Sequence, residues 1–201
     1  ENSFAYSIYL CAGVLAWSLF TEEVSRSLTM FIDNANLLKK ISFPRITLPI
    51  VVVFNASLNF AIVASLFVGV LLLSNNFPGL VILGVIPILL LQTALAIGLG
   101  LVLGVLNVFF RDVGQFFGIF LQFWFWFTPV VYPASILPDR IQPLMAINPM
   151  YPLMQSYQGI FVAGLWPSWN NLLYPLALGV ILCVLGFRLF RKHVGEMVDE
   201  L

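Results

Sequence analysis

The sequence predicts an all-α integral membrane protein with about five spans. Three observations predict it: charge is scarce, the apolar runs are long, and the cations gather in the breaks between runs. Only 9% of the 201 residues are charged against 61% hydrophobic, where a soluble domain carries about 25% charged residues. Five runs approach the ~20 apolar residues that a helix needs to cross a bilayer core. Seven of the nine Lys and Arg fall in three clusters: Lys39, Lys40 and Arg45, then Arg111, then Arg188, Arg191 and Lys192. Cytoplasmic loops retain Lys and Arg, so these clusters are placed inside, and the carboxyl terminus with them. Backbone in lipid must bond to itself, and runs this continuous do so as helices.

Run A covers residues 4–20, with a continuation to residue 32 left open. Run B covers 46–73, run C 77–110, run D 113–131 and run E 172–190. Ser74-Asn75-Asn76-Phe77-Pro78-Gly79 is a short uncharged turn between B and C, and Arg111-Asp112 a tight charged one between C and D. With the basic clusters inside, A, C and E run inward while B and D run outward. Five spans starting outside are an odd arrangement for a complete inner-membrane protein. The expectation is therefore a cytoplasmic amino-terminal segment and a further span ahead of residue 1. No repeat or linker divides the chain, so residues 1–201 are read as a single membrane domain.

The stretch between D and E, residues 132–171, carries its own helix. Asn148-Pro149 reads as a cap followed by proline at the first helical position. Met150, Leu153, Met154, Tyr157, Ile160 and Phe161 then form a helical stripe, with Gln155, Ser156 and Gln158 on the other face. Gly164 is the expected stop. Too short to span, this helix should lie at the outer interface or dip in and out. A shorter helical partner is expected within residues 139–147, and Trp166, Trp169 and Tyr174 mark the outer interface.

The search for chemistry excludes more than it finds. No glycine-rich loop precedes Lys39, Lys40 or Lys192, so no Walker-type nucleotide site exists. His193, the single histidine, lies in a basic tail without a catalytic partner, and no spacing suits a metal. Cys11 and Cys183 read as small residues in apolar runs. A net charge of zero builds no field for nucleic acid. A membrane glycosyltransferase would need an acid outside, and Asp139 is the only one between D and E.

Four patterns carry positive signal. Residues 33–45 are amphipathic and basic, with Leu37, Leu38 and Ile41 able to share a face flanked by Lys39 and Lys40. That pattern fits a headgroup anchor and a docking helix for a soluble partner equally. Run D crowds Phe116, Phe117, Phe120, Phe123, Trp124, Phe125, Trp126 and Phe127 onto one helix, with Tyr132 just beyond. Such rings pack against lipid, or they line a path on which sugar rings stack; Gln115 and Gln122, seven apart, would mark the wetter side. Asn55, Ser57, Asn59, Ser65, Gln92, Thr93 and Asn107 place polar groups at membrane depth, and Gly100 with Gly104 offers a close-approach face. Glu22, Glu23 and Arg26 lie within one helical turn, with Glu22 and Arg26 spaced to pair; they are intramembrane only if run A continues.

On these residues the sequence resembles the permease subunit of ABC-2 type transporters, and within them the branch that exports O-antigen, capsule or teichoic acid polysaccharide. Ser25-Arg26-Ser27 through Asn34-Ala35-Asn36-Leu37-Leu38-Lys39-Lys40 to Phe43-Pro44-Arg45 is similar to the family's coupling region. Asn107-Val108-Phe109-Phe110-Arg111-Asp112-Val113 is similar to its cytoplasmic turn. Thr128-Pro129-Val130-Val131-Tyr132-Pro133 and Ile147-Asn148-Pro149-Met150 resemble its outer re-entrant region.

The resemblance implies a six-span permease of the bacterial inner membrane that pairs with a second copy of itself. Two separate ATPase subunits, holding ATP and Mg, would dock beneath; this chain would hold no cofactor. Asn34, Asn36, Leu37, Leu38, Lys39, Lys40 and Arg45 would couple to the ATPase, with Arg111 and Asp112 in support. Phe116, Phe120, Phe123, Trp124, Phe127 and Tyr132 would line the path of a lipid-linked polysaccharide. Asn148, Pro149, Met150 and Tyr157 would belong to a short extracytoplasmic gate, and Glu22, Glu23 and Arg26 would form a charge cluster within the membrane. An ABC-2 exporter of drugs or small lipids, a glycosyltransferase or ligase, and a structural scaffold are the rival readings.

Overall fold

The structure, a computed structural model, describes residues 2–39, 44, 46–138, 140 and 142–201. Lys40, Ile41, Arg45 and Asp139, singled out above, lie outside the described residues. Eight α-helices are found among those described. Helix α1 is Asn2–Asp33, α2 Ala35–Leu38, α3 Thr47–Leu73, α4 Val85–Phe109, α5 Asp112–Phe127, α6 Gln142–Met145, α7 Met150–Ala163 and α8 Trp169–Glu200. A 3₁₀ turn at Gly79–Gly84 leads into α4. Run A therefore continues to Asp33, which closes the alternative left open by its sequence and places Glu22, Glu23 and Arg26 inside a helix long and apolar enough to cross a membrane.

Four helices have that length and composition: those at residues 4–33, 47–73, 79–109 and 169–200. The chain is thus a multi-pass membrane protein. The run D helix is shorter than expected. Its 16 residues reach about 24 Å at 1.5 Å per residue, against a core of about 30 Å. The helix stops because Pro129 and Pro133 lack backbone donors and proline disfavours helical geometry at the residue before it.

Helix α4 is the organising element, packing most extensively on α8 and then on α1. One apolar cluster joins Phe31, Leu38, Leu48, Val108 and Phe190. These residues come from the end of α1, from α2, from the start of α3 and from the lower parts of α4 and α8. That grouping is what helices running alternately in and out require. Lys39, Arg111 and the basic end of α8 therefore share one end of the bundle, where the Phe109 and His193 rings lie 6.1 Å apart. A second cluster, at the other end, joins Phe20, Trp17, Ile88, Leu121, Val130, Leu153 and Tyr157.

Polar residues of run C stitch α1 to α4. Gln92 Nε2 donates to the Ala16 carbonyl at 2.9 Å, and Asn107 Nδ2 to the Leu28 carbonyl at 3.1 Å. Asn107 Oδ1 accepts the Gly114 N–H at 2.8 Å, which pins the turn into α5. Gly100 and Gly104 are the close-approach face: a side chain at Gly100 would overlap Ser27, and a Cβ at Gly104 would stand 2.7 Å from the Ser27 carbonyl oxygen. Lipid offers no hydrophobic drive for helices to associate, so close van der Waals approach and interhelical hydrogen bonds hold this seam.

Candidate functional site

The aromatic helix α5 meets the connection that leads into α7 in one groove. Phe120, Phe123, Trp124 and Phe127 form one wall, and Leu144, Met145, Ile147, Asn148 and Pro149 the other, around about 650 Å³. The two walls are joined by a hydrogen bond from Trp124 Nε1 to Asn148 Oδ1, 2.9 Å long. Phe116, Phe120, Phe123 and Phe127 are exposed, whereas Trp124 is half-buried and meets the Phe20 ring edge-on at 5.3 Å. Trp124 thus presents one edge to the groove and anchors α5 on α1 with the other. A second groove of about 460 Å³ lies between α1 and α5, where Trp17, Phe125 and Trp126 face Thr21, Ser25 and Gln122. Gln115 is exposed on α5 but does not line it.

Beyond Phe127 the chain leaves the helix, and its carbonyls need partners. They find them in side chains that sequence reasoning did not single out for this role. Tyr9 Oη donates to the Tyr132 carbonyl at 2.7 Å, Tyr6 Oη to that of Val131 at 3.0 Å, and Gln158 Nε2 to those of Pro129 and Val130 at 3.1 and 3.2 Å. Asn148 Nδ2 donates to Thr128 Oγ1 at 2.8 Å, and Tyr132 Oη to the Trp126 carbonyl at 2.7 Å. Non-helical backbone at membrane depth persists only where protein satisfies it. Gly13 admits this loop, since a Cβ there would stand 2.5 Å from the Val130 oxygen. The one sequence signal was Tyr6 and Tyr9 on a single face of α1, uninterpretable without the loop 120 residues away.

Helix α7 begins and ends as expected. Asn148 Oδ1 accepts the Met150 N–H at 3.0 Å, and Gly164 closes the helix at φ 60°. Met150, Pro152, Leu153, Met154, Ser156, Tyr157, Gln158 and Ile160 are all buried against the chain's own helices. Of the polar face, Gln155 is exposed while Ser156 and Gln158 are buried, where Gln158 serves the loop carbonyls and Ser156 bonds the Pro152 carbonyl. Its predicted short partner is only the four residues of α6.

The charged triplet on α1 is divided. Glu22 Oε1 accepts from Arg26 Nε at 2.8 Å and from Asn59 Nδ2 of α3 at 2.7 Å. Glu23 is fully buried and accepts from Thr93 Oγ1 of α4 at 2.8 Å. At the basic end, Asn34 Nδ2 donates to the Met30 carbonyl at 2.8 Å. Asn36 and Lys39 are exposed, as are Arg111 and Asp112, while Leu37 is half-buried. Leu38, expected on the docking face, is 1% exposed and sits in the chain's own core, where it seats the segment.

The fold is a multi-pass membrane bundle whose broken fourth run, run D, is held by its neighbours. Residues 1–162 match the ABC-2 type transporter membrane family, and the chain belongs to it. It is accordingly a permease, a transport subunit rather than a catalyst. Among similar proteins, two from Klebsiella pneumoniae named O-antigen export system permease protein RfbA are each 29% identical over 93% of this chain and 72% of their own length. One of the same name from Myxococcus xanthus is 28% identical over 100% of this chain and 78% of its own length.

Proposed function

We propose that this permease moves lipid-linked polysaccharide, of the O-antigen or capsule kind, outward across the bacterial inner membrane. The carrying observation is the groove in which Phe120, Phe123, Trp124 and Phe127 face Asn148 and Pro149. Flat aromatic faces stack on the C–H faces of sugars without imposing one register, which suits a sliding polymer. The similarity to proteins named for O-antigen export supports the substrate class. Two copies would bring their α5 helices toward a common path, which accounts for rings such as Phe116 and Phe127, 70% and 67% exposed in the single chain. The basic end, with the carboxyl terminus, would face the cytoplasm. There Asn36 and Lys39, with Lys40 and Arg45, would meet a separate ATPase that holds ATP and Mg, while Arg111 and Asp112 supply a second contact. The short outer helices α6 and α7 would form the gate.

The test is the location of full-length lipid-linked glycan, by mass spectrometry of separated inner and outer pools. With Phe120, Phe123 and Phe127 all changed to Ala, polymer should accumulate inside. With Lys39→Glu and Lys40→Glu together, the ATPase should no longer co-purify. Normal outer glycan in the aromatic variant overturns the substrate assignment in favour of small-substrate export; normal ATPase capture in the lysine variant overturns the coupling assignment.

A further inference from the structure

Four buried side-chain polar atoms lack a hydrogen-bond partner among the described residues: Glu23 Oε2, Ser27 Oγ, Gln92 Oε1 and Tyr157 Oη. Two belong to α1, one to α4 and one to α7. They are not scattered, because α1, α4 and α7 meet in the same apolar cluster, where Tyr157 packs with Phe20 and Val24 on either side of Glu23 in sequence. Glu23 and Tyr157 stand out within the set. Glu23 is 0% exposed and Tyr157 1%. The single cation of its cluster, Arg26, is taken by Glu22 on the α3 side. No hydrogen bond joins the Glu23 carboxylate to the Tyr157 hydroxyl, although α1 and α7 pack against each other. One is a donor without an acceptor, the other an acceptor oxygen without a donor, on two helices in contact.

We infer that Glu23 and Tyr157 are hydrogen-bond partners in a second state of the bundle, formed when α7 shifts against α1, and that this exchange positions α7 during transport. Buried polar groups are nearly always satisfied, and an intramembrane carboxyl is retained where it serves a pathway or a switch. In the described state Glu23 is held from one side by Thr93 Oγ1, at 2.8 Å. In the second state the Tyr157 O–H donates to Glu23 Oε2, so the movement of the outer helix is read directly by the long helix that runs to the basic end. A packing role for both residues would need no communication between them. The exchange requires it.

The test is a double-mutant cycle with Glu23→Gln and Tyr157→Phe in the full permease, assembled with its ATPase in lipid nanodiscs. Each single change should lower ATP turnover about fivefold or more, the lower range of coupling between two sites, and the double variant should fall no further than the worse single. In the nucleotide-free permease, Tyr157→Phe should melt no lower than wild type, because its hydroxyl is unbonded there. Additive losses in turnover, or full turnover in both singles, overturn the inference, as does a lower melting midpoint for Tyr157→Phe. The transport reading rests on the proposed ATPase pairing, and the two failures separate: a permease that captures no ATPase defeats that pairing, whereas the melting arm reads the Tyr157 hydroxyl without it.

Discussion

Helices α3 and α7 reverse the usual relation between apolarity and burial. Helix α3 is 27 residues long without one charge, yet only Leu48, Val52, Ala56 and Leu71 are buried. Helix α7 is 14 residues long, carries two glutamines and a serine, and buries most of its length. In water the order would be the opposite. In a bilayer, lipid tails are as apolar as a core, so an uncharged, strongly apolar helix can face lipid without loss. The mixed helix must be enclosed, because only protein offers its polar groups partners. The helix most buried here is therefore one that could not survive in lipid alone.

The largest effect that would sharpen this comparison is at Leu153, fully buried on α7. Leu153→Ala should destabilise the bundle by about 2–5 kcal/mol, the range for deleting a core side chain, read as a fall in melting midpoint in detergent or nanodiscs. A smaller loss is expected from Gln158→Leu, which is close in size but strips the donors from the Pro129 and Val130 carbonyls. Buried groups left unpaired cost about 1–3 kcal/mol. Proteolysis near residues 128–132 should report the loosened loop, and an unchanged cleavage rate would mean that Tyr6 and Tyr9 hold it unaided. The smallest effect is at Leu66 of α3, which is 68% exposed. Leu66→Ala should stay within about 0.5 kcal/mol, as surface substitutions do. A loss near that of Leu153→Ala would break the comparison, since α3 would then be packing against protein rather than lipid.

Much of α7 was legible in advance. Its Asn148 cap, its Gly164 stop and its stripe from Met150 to Phe161 follow from local rules of chain geometry. So does the Glu22–Arg26 pair at 2.8 Å, an interaction one turn long. What Gln158 faces was not legible. Amphipathicity says that one side of a helix wants hydrogen bonds; water and a neighbouring loop's carbonyls satisfy that equally. The early end of α5 was written in Pro129 and Pro133, although hydropathy carried the run on to residue 131. Leu38 misled in the same way, because an apolar residue beside lysines suits a docking face and an anchor alike.

Sequence alone determined that this chain is helical and membrane-spanning, and that breaks carrying clustered cations alternate with breaks poor in them. Those properties follow from backbone hydrogen bonding in lipid and from charge, and both act locally. Tertiary structure decided which helix is enclosed, which aromatic rings face a groove, and how Glu22 and Glu23, adjacent in the chain, came to face α3 and α4 separately. Lipid and protein interior are equally apolar, so hydropathy cannot choose between them. The choice is made by close approach and by hydrogen bonds between residues such as Tyr9 and Tyr132, separated by 123 positions, which only the folded bundle brings together.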